Sequence, residues 1–265
     1  MFNLNQGGLL YYIVNKNGIE NEAWFYVLFF AFFLIMIAAS YFLGSINSAI
    51  LVSKLIYHDD VRKHGSGHPG LTNTLRTYGK GAAGLVLLGD MMKTALSILI
   101  GALLFGFWYL PGNVMQIFRI SLGDGMCFVA GLFSVLGHIF PIYYKFKGGK
   151  GVLSTATMAL ILSPMPFILL LAVFVLIVYA SRYVSLGSVS VAVLYPILIH
   201  AYVGFVCSAQ LPGLISLSSI ILAIVIVWRH KENLKRISDR TENKISFKKK
   251  PAAVSSEPEE QEDDE

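Results

Sequence analysis

Residues 23–43 read AWFYVLFFAFFLIMIAASYFL, and this run contains no charged side chain. An α-helix rises about 1.5 Å per residue, so roughly 20 residues are enough to cross a hydrocarbon core about 30 Å thick. The run therefore predicts a transmembrane helix.

Further apolar runs of similar length follow along the chain, and only the first of them contains charges, Asp90 and Lys93: they cover residues 82–109, 125–144, 152–180, 184–206 and 211–228. Of the 265 residues, 55% are hydrophobic and 14% are charged, and the mean hydropathy is +0.63. Soluble domains carry about 25% charged residues. This composition excludes an ordinary soluble domain and predicts an all-α integral membrane protein.

The two ends of the chain differ from its middle. Residues 1–22 lack the basic start and the small-residue cleavage site of a signal peptide, so we expect the first span to stay in the mature protein. We predict an extracytoplasmic segment at 1–22, a membrane-embedded domain at 23–245 and a cytoplasmic tail at 246–265. The composition of this charged tail favours disorder.

The distribution of lysine and arginine predicts the orientation of the spans. Basic side chains concentrate in residues 54–80, 145–150 and 229–250, whereas residues 200–212 contain none. Cytoplasmic loops are enriched in lysine and arginine. We therefore predict that the N-terminus lies outside and that the C-terminus lies in the cytoplasm.

Residues 152–180 are flanked by basic residues on both sides, so this run should begin and end on the cytoplasmic side. Pro164 and Pro166 lie near its middle and would interrupt a helix there. We predict two short helices in a hairpin, which makes seven helical segments in all. Whether this pair crosses the bilayer fully is left open.

The first of three polar patches covers residues 65–76, GSGHPGLTNTLR. Glycines allow successive backbone N–H groups to point at one anion. Ser66, Thr72 and Asn73 add hydrogen-bond donors, and Arg76 can bind an oxyanion with two N–H groups. The alternative is a surface turn with helix-capping residues.

The second patch covers residues 145–152, KFKGGKGV. Gly148, Gly149 and Gly151 permit a close approach of the backbone to a ligand, and Lys150 supplies a positive charge among them. The glycine spacing does not match a Walker A motif. Lys145 and Lys147 are explained by topology alone, whereas Lys150 is predicted to contribute to an anion site.

The third patch covers residues 228–236, WRHKENLKR, directly after the last apolar run. His230 and Asn233 are three residues apart and share a helix face. Taken alone, this segment would be an amphipathic helix leaving the membrane. The predicted orientation places all three patches on the cytoplasmic side.

Other polar residues lie within or beside the apolar runs. Asp90 and Lys93 either form a pair with each other or take a direct functional part, because charges inside a span are costly. Ser185 and Ser188 bond either a ligand or the preceding helical turn. Cys127 and Cys207 are predicted to be buried thiols rather than a disulfide or metal site, and no metal or cofactor is expected.

The patches together resemble the bacterial membrane glycerol-3-phosphate acyltransferases that use acyl phosphate as the acyl donor, the PlsY family. The resemblance extends from about Tyr41 to Ile245 and rests on four motifs in the same order: GSGHPGLTNTLR at 65–76, GHIFP at 137–141 with FKGGKG at 146–151, RYVSLGS at 182–188, and RHKEN at 229–233. His68 departs from the asparagine that is usual in the family.

The resemblance implies seven transmembrane helices and an active site at the cytoplasmic face of the bacterial plasma membrane. It implies transfer of an acyl group from acyl phosphate to the 1-hydroxyl of glycerol 3-phosphate, giving lysophosphatidate. Its implied catalytic residues are Ser66, Arg76, Lys150, Ser188, His230 and Asn233, and its implied phosphate-binding element is the glycine loop with Gly148, Gly149 and Gly151. The donors of the first patch add Thr72 and Asn73 to the predicted phosphate-binding residues.

The sequence contains no Ser-His-Asp arrangement, so direct attack by the substrate hydroxyl is favoured over an acyl-enzyme. The proton acceptor is either His230 or the departing phosphate. The expected partners are the two phosphorylated substrates and the lipid bilayer, without nucleic acid. The alternative function is a transporter for an organic anion, which would explain the basic patches and the short Leu-Gly-Ser repeat at residues 43–45 and 186–188.

Overall fold

A computed structural model describes residues 8–17, 21–106, 122–206 and 212–245. These residues contain ten α-helices and no β-strand. The helices are α1 (Gly8–Lys16), α2 (Glu22–Ser45), α3 (Ser48–Ile56), α4 (Leu71–Phe105), α5 (Leu122–Ile139), α6 (Val152–Leu162), α7 (Pro164–Ser181), α8 (Val184–Ala201), α9 (Pro212–Arg229) and α10 (Lys231–Ser238). A π-helical turn, Tyr202–Val206, extends α8.

Five helical segments among the described residues are long and apolar enough to cross a membrane: α2, α4, the segment Gly125–Tyr144 that includes most of α5, α7, and α8 with its extension. A sixth is obtained if α9 and α10, which meet at a bend of 50°, form one span. The predicted all-helical, multi-pass architecture is confirmed. Seven crossings and their orientation stay predictions.

The break predicted inside residues 152–180 is present at Ser163, which has a non-helical backbone (φ −149°, ψ 65°) and precedes Pro164. The two helices are unequal. The first, α6, has 11 residues, about 16 Å at 1.5 Å per residue, whereas α7 is long enough to cross. The predicted hairpin of two short helices is therefore wrong for its second helix: α6 is short, but α7 is long enough to span the membrane.

Helix α4 begins earlier than the apolar run predicted from residue 82, because residues from Leu71 onward are helical. Leu71 and Tyr78 pack against a small buried cluster that includes Val61 and Val86, and this burial stabilises the first two turns of α4. Gly79 (φ 83°) then interrupts the helix. The long apolar part of α4 therefore begins close to the position that hydropathy predicts.

The first apolar run forms helix α2, which ends at Ser45. Two residues separate it from α3, which begins at Ser48. Asn47 caps α3, since its Oδ1 accepts a hydrogen bond from Ile50 N at 3.0 Å. This short third helix was not predicted. It brings residues 46–48 inward against α4, where they take part in a buried polar cluster.

Helix α5 lies at the centre of the bundle and packs against α2, α4, α6 and α9. Its contact with α2 is close because a Cβ at Gly44 would overlap Ser134 O and one at Gly137 would overlap Tyr41 O. Small residues let two helix backbones approach closely in this way. The end of α5 is thereby fixed, and the glycine loop begins a few residues beyond it.

Candidate active site

The three polar patches meet at one end of the bundle. The second contacts the third directly: Lys150 Nζ donates to Asn233 Oδ1 at 2.6 Å, and Arg229 Nη2 donates to Gly148 O at 3.1 Å. The first patch lies close to both. Burial of the His68 ring is the main cause that lowers the pKa of this histidine, and the positive charges of Lys150 and Arg229, which are near enough to act on the ring, lower it as well. Residues far apart in the sequence therefore form one cationic site.

Lys150 differs from the two lysines that precede it. Lys145 and Lys147 are exposed, whereas Lys150 is half-buried. Burial is the main cause that lowers the pKa of Lys150 to about 8; Glu242 opposes this shift, and the positive charges of Arg236, Arg229 and Arg76 contribute to it. Lys150 is thus a largely protonated ammonium at neutral pH, in surroundings that favour an added anion.

The glycines of the second patch are required by the packing of the loop on the end of α5. A Cβ at Gly148 would overlap the carbonyl oxygen of His138, and a Cβ at Gly149 would overlap its ring. Gly151 has a positive φ of 80° and precedes the first residue of α6. Only a chain without side chains at these positions can follow this path.

The start of α6 supplies hydrogen-bond donors next to the glycine loop. No side chain caps this helix, so the N–H groups of its first turn remain available to a ligand. The buried hydroxyl oxygens of Ser154 and Thr155 make no hydrogen bond in the described structure. Helix N-termini of this kind bind phosphate.

The side chain of Asn73 forms hydrogen bonds that hold the backbone of the first patch in place. Its Oδ1 accepts from Ser66 N at 3.0 Å, and its Nδ2 donates to Val61 O and His64 O, both at 3.0 Å. The side chain is buried. This geometry favours Asn73 as an organiser of the loop rather than as a direct ligand of phosphate.

The other residues predicted in the first patch lie at the surface. Ser66, Thr72 and Arg76 are exposed. Asn73 fixes the backbone at Ser66, and Arg76 is near enough to Lys150 for its charge to lower the pKa of that lysine. Within the described part of the chain no hydrogen bond joins Thr72 to the second or third patch, so it is the most peripheral of the predicted site residues.

His230 is buried at the junction of α9 and α10. Its Nδ1 lies 2.8 Å from the backbone oxygen of Ile226, which can only accept, so Nδ1 carries the proton and Nε2 is the acceptor nitrogen of the neutral ring. Burial lowers the pKa of His230 to about 4. At neutral pH this imidazole is therefore neutral and able to take up a proton.

Glu242 is a site residue that the sequence analysis missed. Its Oε1 accepts from Ser185 Oγ at 2.5 Å and from Asn233 Nδ2 at 2.7 Å, and its Oε2 accepts from Arg236 Nε at 2.8 Å. Asn233 also donates to Ser185 Oγ at 3.0 Å. The segment after α10 thus folds back onto α8 and fixes the orientation of Asn233 toward Lys150.

Ser185 and Ser188 of α8 have different partners. Ser188 Oγ donates to Val184 O of the preceding turn at 2.9 Å, which is one of the two alternatives predicted for it. Ser185 makes the contacts with Asn233 and Glu242. The structure therefore places Ser185, rather than Ser188, in the hydrogen-bond network of Lys150. The sequence offered no signal for this choice, because both are serines on one helix.

Asp90 and Lys93, the charges in the apolar part of α4, form an ion pair with Lys93 Nζ 2.9 Å from Asp90 Oδ1. Pairing was one of the two alternatives that the sequence left open. His138 of α5 lies beside the pair.

Comparisons with known proteins identify the family of this chain. The family model described as glycerol-3-phosphate acyltransferase matches residues 34–240. A glycerol-3-phosphate acyltransferase of Alkaliphilus metalliredigens is 35% identical over 216 residues, which cover 81% of this chain and 97% of that protein. One of Bacillus subtilis is 37% identical over 213 residues, which cover 80% and 97%.

Two solved structures are similar to the fold. Both are of PlsY, an integral membrane glycerol 3-phosphate acyltransferase. The glycerol 3-phosphate form gives a TM-score of 0.66 at 28% identity and covers 81% of this chain and 96% of that one. The lysophosphatidic acid form gives 0.64 at 27% identity, covering 81% and 95%. The chain therefore belongs to the glycerol-3-phosphate acyltransferase family, as the order of its motifs predicted.

Proposed function

We propose that this membrane protein transfers an acyl group from acyl phosphate to the 1-hydroxyl of glycerol 3-phosphate. The new ester bond forms as the bond between the acyl carbon and the phosphate oxygen breaks, so the products are lysophosphatidate and inorganic phosphate. The observation that carries the proposal is the meeting of Lys150, the glycine loop and Asn233 in a chain of this family. Both substrates carry phosphate, which suits a cationic site.

The phosphate groups are held by Lys150, the backbone of Gly148–Gly151 and the uncapped start of α6, with Arg76 at the rim. Several donors fixed in advance stabilise developing negative charge without reorganisation during the reaction. Ser66 lies on the loop that Asn73 orders. In this arrangement catalysis is mainly positioning of two substrates, together with electrostatic stabilisation of the transition state.

His230 is the side chain that we assign as the proton acceptor, with the departing phosphate as the alternative. Its Nδ1 is occupied by Ile226 O, so Nε2 is the nitrogen that can remove the proton of the attacking hydroxyl. The ring is neutral at the pH of the cytoplasm, which a general base requires, and its pKa of about 4 makes it a weak base. After transfer, the proton passes to the departing phosphate and the imidazole becomes neutral again.

The active site faces the cytoplasm in this proposal. The support is the concentration of exposed basic residues at the same end of the bundle, including Lys145, Lys147 and Lys235. The acyl chain of the donor lies in the bilayer or between the helices. This arrangement brings a soluble substrate and a lipid-like one together at the edge of the membrane.

The test uses purified protein in detergent with acyl phosphate and labelled glycerol 3-phosphate. Formation of labelled lysophosphatidate supports the proposal, since detergent leaves no compartment into which a transporter could move its substrate. Accumulation of label only in sealed vesicles would support the transporter alternative instead, which the comparisons do not favour. Acyl-CoA and acyl carrier protein thioesters, supplied in parallel, test the identity of the donor.

Lys150→Ala and Lys145→Ala form a matched pair for the site. We expect the first to lose activity and the second, at an exposed position of the same loop, to keep it. Undiminished transfer by purified Lys150→Ala protein would remove this lysine from the mechanism.

A further inference from the structure

A buried charge cluster lies inside the bundle, one layer behind the candidate site. Asp90 and Lys93 of α4 are 2% and 4% exposed, and His138 of α5 is 5% exposed. None of them belongs to the proposed catalytic set. Replacing a buried ion pair by apolar residues is often neutral or stabilising, so stability alone does not explain the cluster.

Lys93 is the centre of this cluster. Its Nζ donates to Asp90 Oδ1 at 2.9 Å, to Ile46 O at 2.8 Å and to His138 Nδ1 at 2.8 Å. Ser48 Oγ also donates to Asp90 Oδ1, at 2.9 Å. An ammonium has three N–H groups, and each of them has an acceptor here. The position of the lysine is therefore fully determined by its hydrogen bonds.

The contact with Lys93 also determines the state of the His138 ring. An ammonium group can only donate, so Nδ1 is the acceptor nitrogen and Nε2 carries the proton. The ring then has one orientation and one tautomer. This is the way in which a partner group commonly fixes a functional histidine.

The other edge of that ring faces the glycine loop. A Cβ at Gly149 would overlap His138 Nε2, so the ring and the loop backbone are in direct contact. The N–H of Gly149 donates to the backbone oxygen of His138 at 3.1 Å. Arg229 also donates to Gly148 O, at 3.1 Å. The loop is therefore held by both His138 and Arg229.

We propose that Asp90 and Lys93 are positioning residues that act through the His138 ring to hold Gly149 in the conformation that binds a substrate phosphate. The inference rests on the proposed function, in which Gly148–Gly151 contact that phosphate. Loss of the charge pair would let the ring rotate or change tautomer. The loop would then move, although Lys150 and His230 remain intact.

The test compares kinetics of purified Asp90→Asn, Lys93→Met and the double variant Asp90→Asn/Lys93→Met. The double variant removes both charges together and so leaves no unpaired charge in the bundle. We expect each to raise the KM for at least one of the two phosphate-bearing substrates, on the order of tenfold or more, with a smaller change in kcat. Ser97→Ala is the matched control, since Ser97 is buried one turn away and its hydroxyl bonds only Lys93 O.

A double-mutant cycle tests the path through the ring. Gly149→Ala places a methyl group against His138, and His138→Ala removes that ring. If both act on one loop conformation, the KM of the double variant should be no higher than that of the worse single variant. If the increase in KM of the double variant equals the product of the two single increases, Gly149 and His138 act independently, and the proposal is overturned.

The remaining outcomes are also decisive. Wild-type KM in the folded double variant Asp90→Asn/Lys93→Met overturns the positioning role, as does an equal effect of Ser97→Ala. Failure of the proposed function is distinguishable, because the unmodified protein would then form no lysophosphatidate at all. His138→Gln keeps a donor and an acceptor, and we expect it to restore part of the affinity lost in His138→Ala.

Discussion

At the scale of single residues, Lys150 is the side chain whose charge state matters most. A lysine with a pKa near 8 is protonated below that pH and loses its charge as the pH rises through it. We expect the KM for a phosphate-bearing substrate to increase above pH 8, by up to about tenfold per pH unit. Steady-state kinetics between pH 6 and 10 would measure this.

Lys150→Arg is the control for that dependence. Arginine stays protonated throughout this range, so the rise in KM should vanish even if the variant is less active overall. A pH dependence that is identical in the two proteins would assign the titration to another group.

His230 gives a second prediction at this scale. We expect His230→Ala to lower kcat on the order of 10²- to 10⁴-fold, the usual contribution of a general base, while KM changes little. His200→Ala is the matched control, because His200 is an exposed histidine of α8. A loss in kcat smaller than about tenfold would favour the departing phosphate as the proton acceptor.

At the scale of elements, the glycine loop depends on its contact with the end of α5. Gly148→Ala would drive a methyl group into His138 O and toward Pro141. These are backbone and ring atoms that cannot move aside easily, so we expect a large loss of activity. Gly84→Ala in α4 meets no atom within 4 Å and should leave activity intact. Parallel assays of the two purified variants would check this.

The segment that follows α10 is held in place by the hydrogen bonds of Glu242. Removing the carboxylate leaves Ser185, Asn233 and Arg236 without their shared acceptor. We expect Glu242→Ala to lower the free energy of unfolding by about 2 kcal/mol, the usual size of a hydrogen bond to a charged group. Thermal melting in detergent would measure it. An exposed neighbour, Asn243→Ala, should have no effect.

At the scale of the whole molecule, the testable property is orientation. We expect cysteines placed at the exposed positions Lys145 and Lys235 to react with a membrane-impermeant maleimide only after cells are permeabilised. A cysteine at the exposed position Asn15 of α1 should react in intact cells. The background is a chain with Cys127→Ser and Cys207→Ser. Labelling in the opposite order would invert the proposed topology.

Much of the architecture followed from local patterns. Hydropathy located the apolar helices, and Pro164 and Pro166 located the break at Ser163, because lipid exposure and the missing proline N–H act within one segment. The distinction between Lys150 and the exposed Lys145 also followed from local context, since only Lys150 is framed by glycines. The α3 helix and the first turns of α4 were missed, because packing against Val61 stabilises them.

Cys127 is buried, as its place in an apolar run predicted. Cys207 and the predicted tail at 246–265 lie outside the described residues.

The sequence by itself determined the membrane class, the family and the three patches that form the site. The tertiary structure alone decided which side chains meet there: Lys150 with Asn233, Ser185 rather than Ser188 with Glu242, and His138 with Gly149. The physical reason is that helices such as α7 are apolar on every side, so no face is marked in their sequence. Contacts between elements depend on the rotation and register of packed helices, which only the close approach of small residues such as Gly44 and Gly137 fixes.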